Sequence, residues 1–332
     1  VGVLAGLAVL AWLPSAAPYT APSAGSVTVA TVQGNVPGDG SDILLDHRQV
    51  TRNHRDATEQ LARDVAAGRV PRPDFVVWPE NSTAVDPFRD PGVNADVTAA
   101  SDAIGLPILV GGIADAPAAD EVLNQGIVWE PGLGGGDRYT KRHPVPFGEY
   151  IPWRSLFQGN FGRLAVISRD MASGTRAEPL QIAGVRVADA ICFDVAYDDG
   201  IRDQVEHGGQ LLVVQTSNAT FIHTDQIEQQ FAITRLRAIE THRAVAVAAT
   251  NGLSGLIAPD GTVLETASPR TQAVLVRTLP LSDEVTPGVR LGPWLGRAAV
   301  AATAAGVLLA WIPYRRLRTS SQKGTRAWAS TA

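Results

Sequence analysis

Three residues of this chain have side chains suited to covalent catalysis. Glu80 closes the apolar run Phe75-Val76-Val77-Trp78-Pro79, and Cys192 closes Ala188-Asp189-Ala190-Ile191. Lys141 lies in Tyr139-Thr140-Lys141-Arg142-His143-Pro144-Val145-Pro146-Phe147-Gly148-Glu149-Tyr150. A thiol that attacks a carbonyl needs a base to take its proton and a cation to hold the thiolate and the later oxyanion. A carboxylate and an amine supply both. Taken singly, Cys192 reads equally as a small buried hydrophobe, Glu80 as a solvated strand-end charge and Lys141 as a surface lysine. Together, at or near strand ends where α/β folds place their sites, they ask for one account. Lys141 and Lys323 are the only lysines among 28 basic residues, so lysine at 141 points to a need for a compact, titratable amine. A single cysteine excludes an intramolecular disulfide framework and a multi-Cys zinc site. The histidines (His47, His54, His143, His207, His223, His242) never fall at metal-ligand spacing, so no metal or other cofactor is expected.

The elements that would position these residues follow from patterning. Expected strands are Val27 to Gln33, Phe75 to Trp78, Pro107 to Gly112, Gly126 to Trp129, Val187 to Phe193, Leu211 to Thr216, Ala244 to Ala249, Gly255 to Ala258 and Ala273 to Thr278. Continuous apolar runs such as Leu211-Leu212-Val213-Val214 suit strands covered on both faces. Expected helices are His47 to Ala67, Ile201 to Glu206 and Asp225 to Thr241, and Asp260-Gly261 signals a hairpin turn. The pattern predicts one α/β domain over residues 26–280. With 45% hydrophobic and 18% charged residues the chain has material for a large core, which excludes a disordered protein. A net charge of −5 argues against a nucleic-acid partner.

Two segments suggest a membrane. Val1 to Pro14 is uncharged and apolar but shorter than the roughly 20 residues of a spanning helix, so residues 1–25 read as the end of such a helix and a linker. A signal peptide is the rival reading, and either places the domain outside the cytoplasm. Leu291 to Tyr314 is apolar except for Arg297, and as a helix would span about 36 Å, enough for a hydrocarbon core of about 30 Å. Trp294, Trp311 and Tyr314 fall near its edges, as interfacial aromatics do. Arg315, Arg316, Arg318, Lys323 and Arg326 follow, which makes residues 315–332 a cytoplasmic tail by the positive-inside rule. A core helix of the soluble domain is the alternative for 291–314.

Trp78-Pro79-Glu80, then Lys141 with Pro146-Phe147-Gly148-Glu149-Tyr150, then Ile191-Cys192-Phe193-Asp194 resemble, in order, the Glu, Lys and Cys motifs of the nitrilase (carbon-nitrogen hydrolase) superfamily. With flanking membrane helices the set resembles the apolipoprotein N-acyltransferase family, particularly its actinobacterial forms. Further matches are Val32-Gln33-Gly34-Asn35-Val36-Pro37, Thr216-Ser217-Asn218-Ala219-Thr220-Phe221, and Arg237-Ala238-Ile239-Glu240 leading to Thr250-Asn251-Gly252-Leu253-Ser254.

The resemblance implies a four-layer αββα sandwich flanked by transmembrane helices, with Glu80 as general base, Cys192 as nucleophile and Lys141 as oxyanion stabiliser. Glu149 matches a second glutamate that positions the lysine or assists proton transfer, and the Phe193 N–H would complete the oxyanion hole. Asp194, which stands where many relatives carry Glu, joins Tyr150 and Trp78 as supporting residues. The implied reaction takes an acyl chain from a phospholipid onto Cys192 as a thioester. It then passes the chain to the α-amine of an S-diacylglyceryl-cysteine apolipoprotein, on the outer face of the cytoplasmic membrane. The family carries several transmembrane helices ahead of this domain, of which Val1 to Pro14 would be a remnant. Between Lys141 and Cys192 the apolar set Trp153, Leu156, Phe157, Phe161, Leu164, Val166 and Ile167 suits a lid that meets lipid tails. A membrane-tethered amidase or nitrilase would use the same triad with water as acceptor, and a catalytically dead binding domain would need no triad.

Overall fold

A computed structural model describes residues 24–39, 46–156 and 167–327. Val1 to Pro14 and most of the expected lid fall outside the described residues. Strand β1 (Ser26–Gln33) alternates strictly: Val27 and Val29 face one way into one core, Ala30 and Val32 the other way into a second. It pairs with β13 (Ala273–Pro280), antiparallel from Ser26↔Pro280 to Gln33↔Ala273, and with β2 (Phe75–Val77) in parallel. Beyond β2 come β3 (Ile108–Asp115), β4 (Glu121–Glu130) and β5 (Gly134–Thr140), with the short β6 (Asp170–Met171) on β4. The second sheet runs β12 (Val263–Thr266), β11 (Gly255–Ile257), β10 (Val245–Ala249), β9 (Leu211–Thr216), β8 (Val185–Ile191), β7 (Leu180–Ile182). Its centre is parallel and wholly buried, as the unbroken apolar runs require.

The sheets pack face to face: Val29, Val77, Leu109 and Val128 meet Val187, Ile191, Leu211, Val213 and Ala246. On the outer face of the first sheet lie α1 (His47–Ala66) and α2 (Pro91–Ile104). Residues Val50, His54, Ala57 and Leu61 of α1 are buried at helical spacing. Helices α3 (Asp198–Glu206) and α4 (Gln226–Thr241) belong to the second sheet. Gln204 of α3 bonds both the N–H and the C=O of Asp189, where β8 has outrun its neighbour β7. This is the αββα order expected from the sequence. Helix α2 was not expected, because its stripe of Val93, Val97, Ala100 and Ile104 is partly alanine and its sequence opens on Pro-Gly. Its caps are nonetheless readable: Asp90 accepts from Gly92 and Val93 N–H, and Gly105 closes it in the left-handed region. Strands β5, β6, β7 and β12 were missed as well, and the Asp260-Gly261 turn joins β11 to β12.

The chain divides into two compact units, residues 1–286 and 287–332. In the second, helix α5 (Pro287–Ala327) contains an apolar stretch, Pro287–Trp311, that is long enough to cross a membrane, and from Trp294 to Trp311 its described side chains are exposed.

Candidate active site

Each of the three residues is set by a break in its strand. The Trp78 N–H still donates to the Leu109 carbonyl at 2.8 Å, but Pro79 cannot extend the ladder and the chain turns away. That departure needs Gly111: a Cβ there would lie 2.1 Å from the Pro79 carbonyl oxygen. Glu80 is thereby delivered, buried, to the space beyond the strand ends. Lys141 follows β5, its N–H bonded to the Asn124 carbonyl and its own carbonyl to the Gly174 N–H. Cys192 follows β8 and opens a 3₁₀ turn, Cys192–Ala196, with φ of 52°. That positive φ costs a non-glycine residue energy and gives the sharp turn that carries the thiol out of the sheet.

The structure brings the three together. Lys141 Nζ lies 3.2 Å from Glu80 Oε1 and 2.6 Å from Glu149 Oε1, with no exposed surface. Glu80 Oε1 also accepts from Asn124 Nδ2 at 2.7 Å and Oε2 from the Ser217 N–H at 2.9 Å, while Thr250 Oγ1 donates to its carbonyl. Both carboxylate oxygens are thus held in place. Burial opposes the charge on Lys141, but the field of Glu80, with Cys192 and Glu149, overcomes it and holds the amine protonated well above its usual range. Glu149 is pushed up by burial and only partly restored by Lys141. Its Oε2 accepts from the Val145 N–H and ties it to the loop after Lys141. Cys192 is pushed up to about 12: burial penalises the thiolate, Glu80 adds like charge, and Lys141 offsets part of both. At neutral pH the thiol therefore keeps its proton, and a base must remove it as attack proceeds.

Among the supporting residues Asp194 has the densest bonding. It is buried, and its carboxylate accepts from the N–H groups of Ile191, Arg142 and His143 and from the Tyr139 hydroxyl. One side chain so clamps the Lys141 loop to the Cys192 turn. The Tyr150 carbonyl accepts from the Phe147 N–H and closes the loop that carries Glu149. Phe193 is 42% exposed and meets Tyr197 edge-on. The Trp78 indole lies in the core under α1, where Nε1 donates to Thr58 Oγ1, so its side chain is remote from the three residues and its backbone is what serves the site. Asn124 was missed by sequence reasoning. Its signal was Asn124-Gln125 set inside an otherwise apolar strand.

A Glu, a Lys and a Cys meet at the ends of strands from two face-to-face sheets, in a carbon-nitrogen hydrolase fold. Residues 28–285 match the carbon-nitrogen hydrolase family, and the chain belongs to it. It is similar to the apolipoprotein N-acyltransferase of Mycolicibacterium smegmatis, 40% identical over 289 residues that cover 86% of this chain and 48% of that protein. It is also similar to the apolipoprotein N-acyltransferase of Azotobacter vinelandii, 30% identical over 305 residues, 90% and 55% of the two chains. The chain spans about half the length of the curated relatives it matches. Among solved structures it resembles the NitN amidase of Nesterenkonia sp. AN1 with a TM-score of 0.57 at 16% identity, covering 82% of this chain and 99% of that one. The family resemblance read from the motifs is borne out.

Proposed function

We propose that this chain is the catalytic part of an apolipoprotein N-acyltransferase. The observation that carries the reading is Lys141 Nζ held between Glu80 and Glu149 beside Cys192, in a chain 40% identical to a named N-acyltransferase. Cys192 Sγ attacks the ester carbonyl of a phospholipid as Glu80 takes its proton. Lys141, with the Phe193 N–H, stabilises the oxyanion. The lysophospholipid leaves with the proton from Glu80, and a thioester remains. The α-amine of a diacylglyceryl-cysteine then attacks; Glu80 takes the amine proton and returns it to sulfur. The base is required in the first half because the thiol is protonated at rest, and in the second because the attacking amine must lose a proton. Burial pushes the Glu149 carboxyl above its usual range, and its contact with Nζ positions the amine.

The membrane setting rests on the exposed apolar stretch Pro287–Trp311 and the basic residues that follow it. We read α5 as a spanning helix with its C-terminal end in the cytoplasm and the catalytic domain on the outer face.

Incubating the membrane-reconstituted protein with phospholipid alone should raise its mass by one fatty acyl group, removable by neutral hydroxylamine and absent in Cys192→Ala. Adding a diacylated lipopeptide should move that mass to the peptide. An active protein with no labile adduct would sink the thioester, and release of free fatty acid with an unmodified peptide would replace transfer by hydrolysis.

A further inference from the structure

We infer that Asp189 and Gln215 form a buried side-chain strut between the two sheets, which holds the main chain at Trp78 and so positions Glu80 against Cys192. The inference rests on reading Glu80 as the base for Cys192. Both residues occupy core-facing positions, in the alternations Val187, Asp189, Ile191 and Leu211, Val213, Gln215, where the strands otherwise place aliphatic side chains. Both are fully buried. A polar pair in such a place is costly unless its groups satisfy one another.

Gln215 reaches across the interface. Its Nε2 donates to the Trp78 carbonyl at 2.5 Å, with the Leu109 carbonyl at 3.4 Å. Trp78 lies just past the last β2–β3 pair, Val77↔Leu109, so Gln215 captures its carbonyl where β2 leaves its sheet. Glu80 is two residues further on. On its own side Gln215 pairs with Ile191, the residue before Cys192, and Ser217, two residues on, donates its N–H to Glu80 Oε2. One amide therefore links the strand end that carries the base to the strand ends that carry the nucleophile.

The other end of the strut is Asp189. A Cβ on Gly126 would lie 2.1 Å from Asp189 Oδ2 and 2.6 Å from Gln215 Oε1, so both oxygens fill the space that glycine leaves. Gly126 is outside the left-handed region, and space rather than torsion calls for glycine there. Among the described side chains no donor reaches Gln215 Oε1 or either oxygen of Asp189. Burial, with the Asp194 charge nearby, holds the Asp189 carboxyl well above the usual carboxylate range. A protonated Asp189 donates to Gln215 Oε1, fixes the amide orientation and aims Nε2 at Trp78.

Because Cys192 is the chain's only thiol, its alkylation by iodoacetamide, followed by mass from pH 6 to 10, reads the site without acyl transfer. The reference is Glu80→Gln, which should lower the rate at neutral pH and change the profile. Gln215→Leu should fold, reproduce that altered profile and lose on the order of tenfold in rate near pH 7. Asp189→Asn, whose amide still donates to Gln215 Oε1, should keep the wild-type profile, whereas Asp189→Ala should not. Should Gln215→Leu fail to fold, Gly126→Ala decides, since it crowds the pair without removing a polar group and should alter the profile. A wild-type profile in the folded Gln215 or Gly126 variant, beside an altered Glu80→Gln, would overturn the strut alone. An unchanged profile in Glu80→Gln would overturn the base assignment. Damage from Asp189→Asn equal to that from Asp189→Ala would overturn the donor role of Asp189.

Discussion

Lys141 and Arg243 are both buried to zero exposure in the same domain, and they are held in opposite ways. Lys141 sits between two carboxylates, whose field keeps it charged beyond its usual range. Arg243 is bonded to carbonyls, those of Gly209, Thr241 and Glu284, and burial pulls it down to about 10. The carbonyls stitch the end of α4 to the turn before β9 and to the segment after β13, which is a structural task. Full charges around Lys141 make a different object: a dense, dry cluster in which moving one proton changes every neighbour. Neutral dipoles suffice to hold a fold, whereas a site that must absorb a developing oxyanion keeps ions in reserve.

The sharpest way to break this comparison is Lys141→Met. It strands Glu80 and Glu149 as buried carboxylates with no cation, so a loss of about 3 to 5 kcal/mol in unfolding free energy is expected. Acyl transfer should fall on the order of a hundredfold or more. Lys141→Arg should recover part of the stability and little of the transfer, because the planar guanidinium does not fit a site built for a point charge. Denaturant unfolding and lipopeptide acylation, measured on the same preparations, separate the two. Turnover near wild type in Lys141→Arg would show that charge alone is needed.

Much of this site was legible because it depends on residue type at strand ends. Glu80 and Cys192 each close an otherwise readable run, Lys141 stands out as one of two lysines, and Pro79 announces that β2 stops. What the sequence hid depends on pairing across space. Asn124 reaches Glu80 only because β4 is two strands from β2, and the Asp194 clamp only because the Lys141 loop lies over the Cys192 turn. No local pattern encodes such contacts. The same holds for Arg243 and for Asp189, whose neighbours within the chain are unremarkable aliphatics. Helix α2 escaped for another reason, since its stripe is alanine-diluted and only its caps speak.

His54 extends the comparison to a base that is kept neutral. It is fully buried in α1, its Nε2 accepts from the Gly34 N–H at 3.1 Å, and burial lowers its pKa to about 4, against a small raising effect from the Val50 carbonyl. An unfolded histidine takes up a proton below about pH 6.5, and the folded one resists until about pH 4. Stability is therefore present above pH 6.5 and is lost as pH falls toward 4, by about 3 kcal/mol. His54→Gln keeps an acceptor for Gly34 without titrating, so its unfolding free energy should fall less over that window. Equal pH dependence in the two proteins would mean that His54 opens to water in the native state.

Arg243→Met should have the smallest of these effects, and the reason lies in the neutral partners. Removing the guanidinium leaves the Gly209, Thr241 and Glu284 carbonyls short of donors, each worth about 1 to 3 kcal/mol if it stays dry. The same change relieves the charge-burial cost that lowers the pKa to about 10, which is about 3 kcal/mol. The two oppose one another, and a net loss of about 2 kcal/mol is expected, less than for Lys141→Met, where the relieved burial cost is outweighed by two carboxylates left without a cation. Because Arg243 has no carboxylate partner in the site, its loss should leave the pH profile of Cys192 alkylation in place. Unfolding curves read the first quantity and iodoacetamide labelling the second. An Arg243→Met protein that folds but labels like Lys141→Met would show the two buried cations to be electrically coupled, and the division between a structural and a chemical charge would fail.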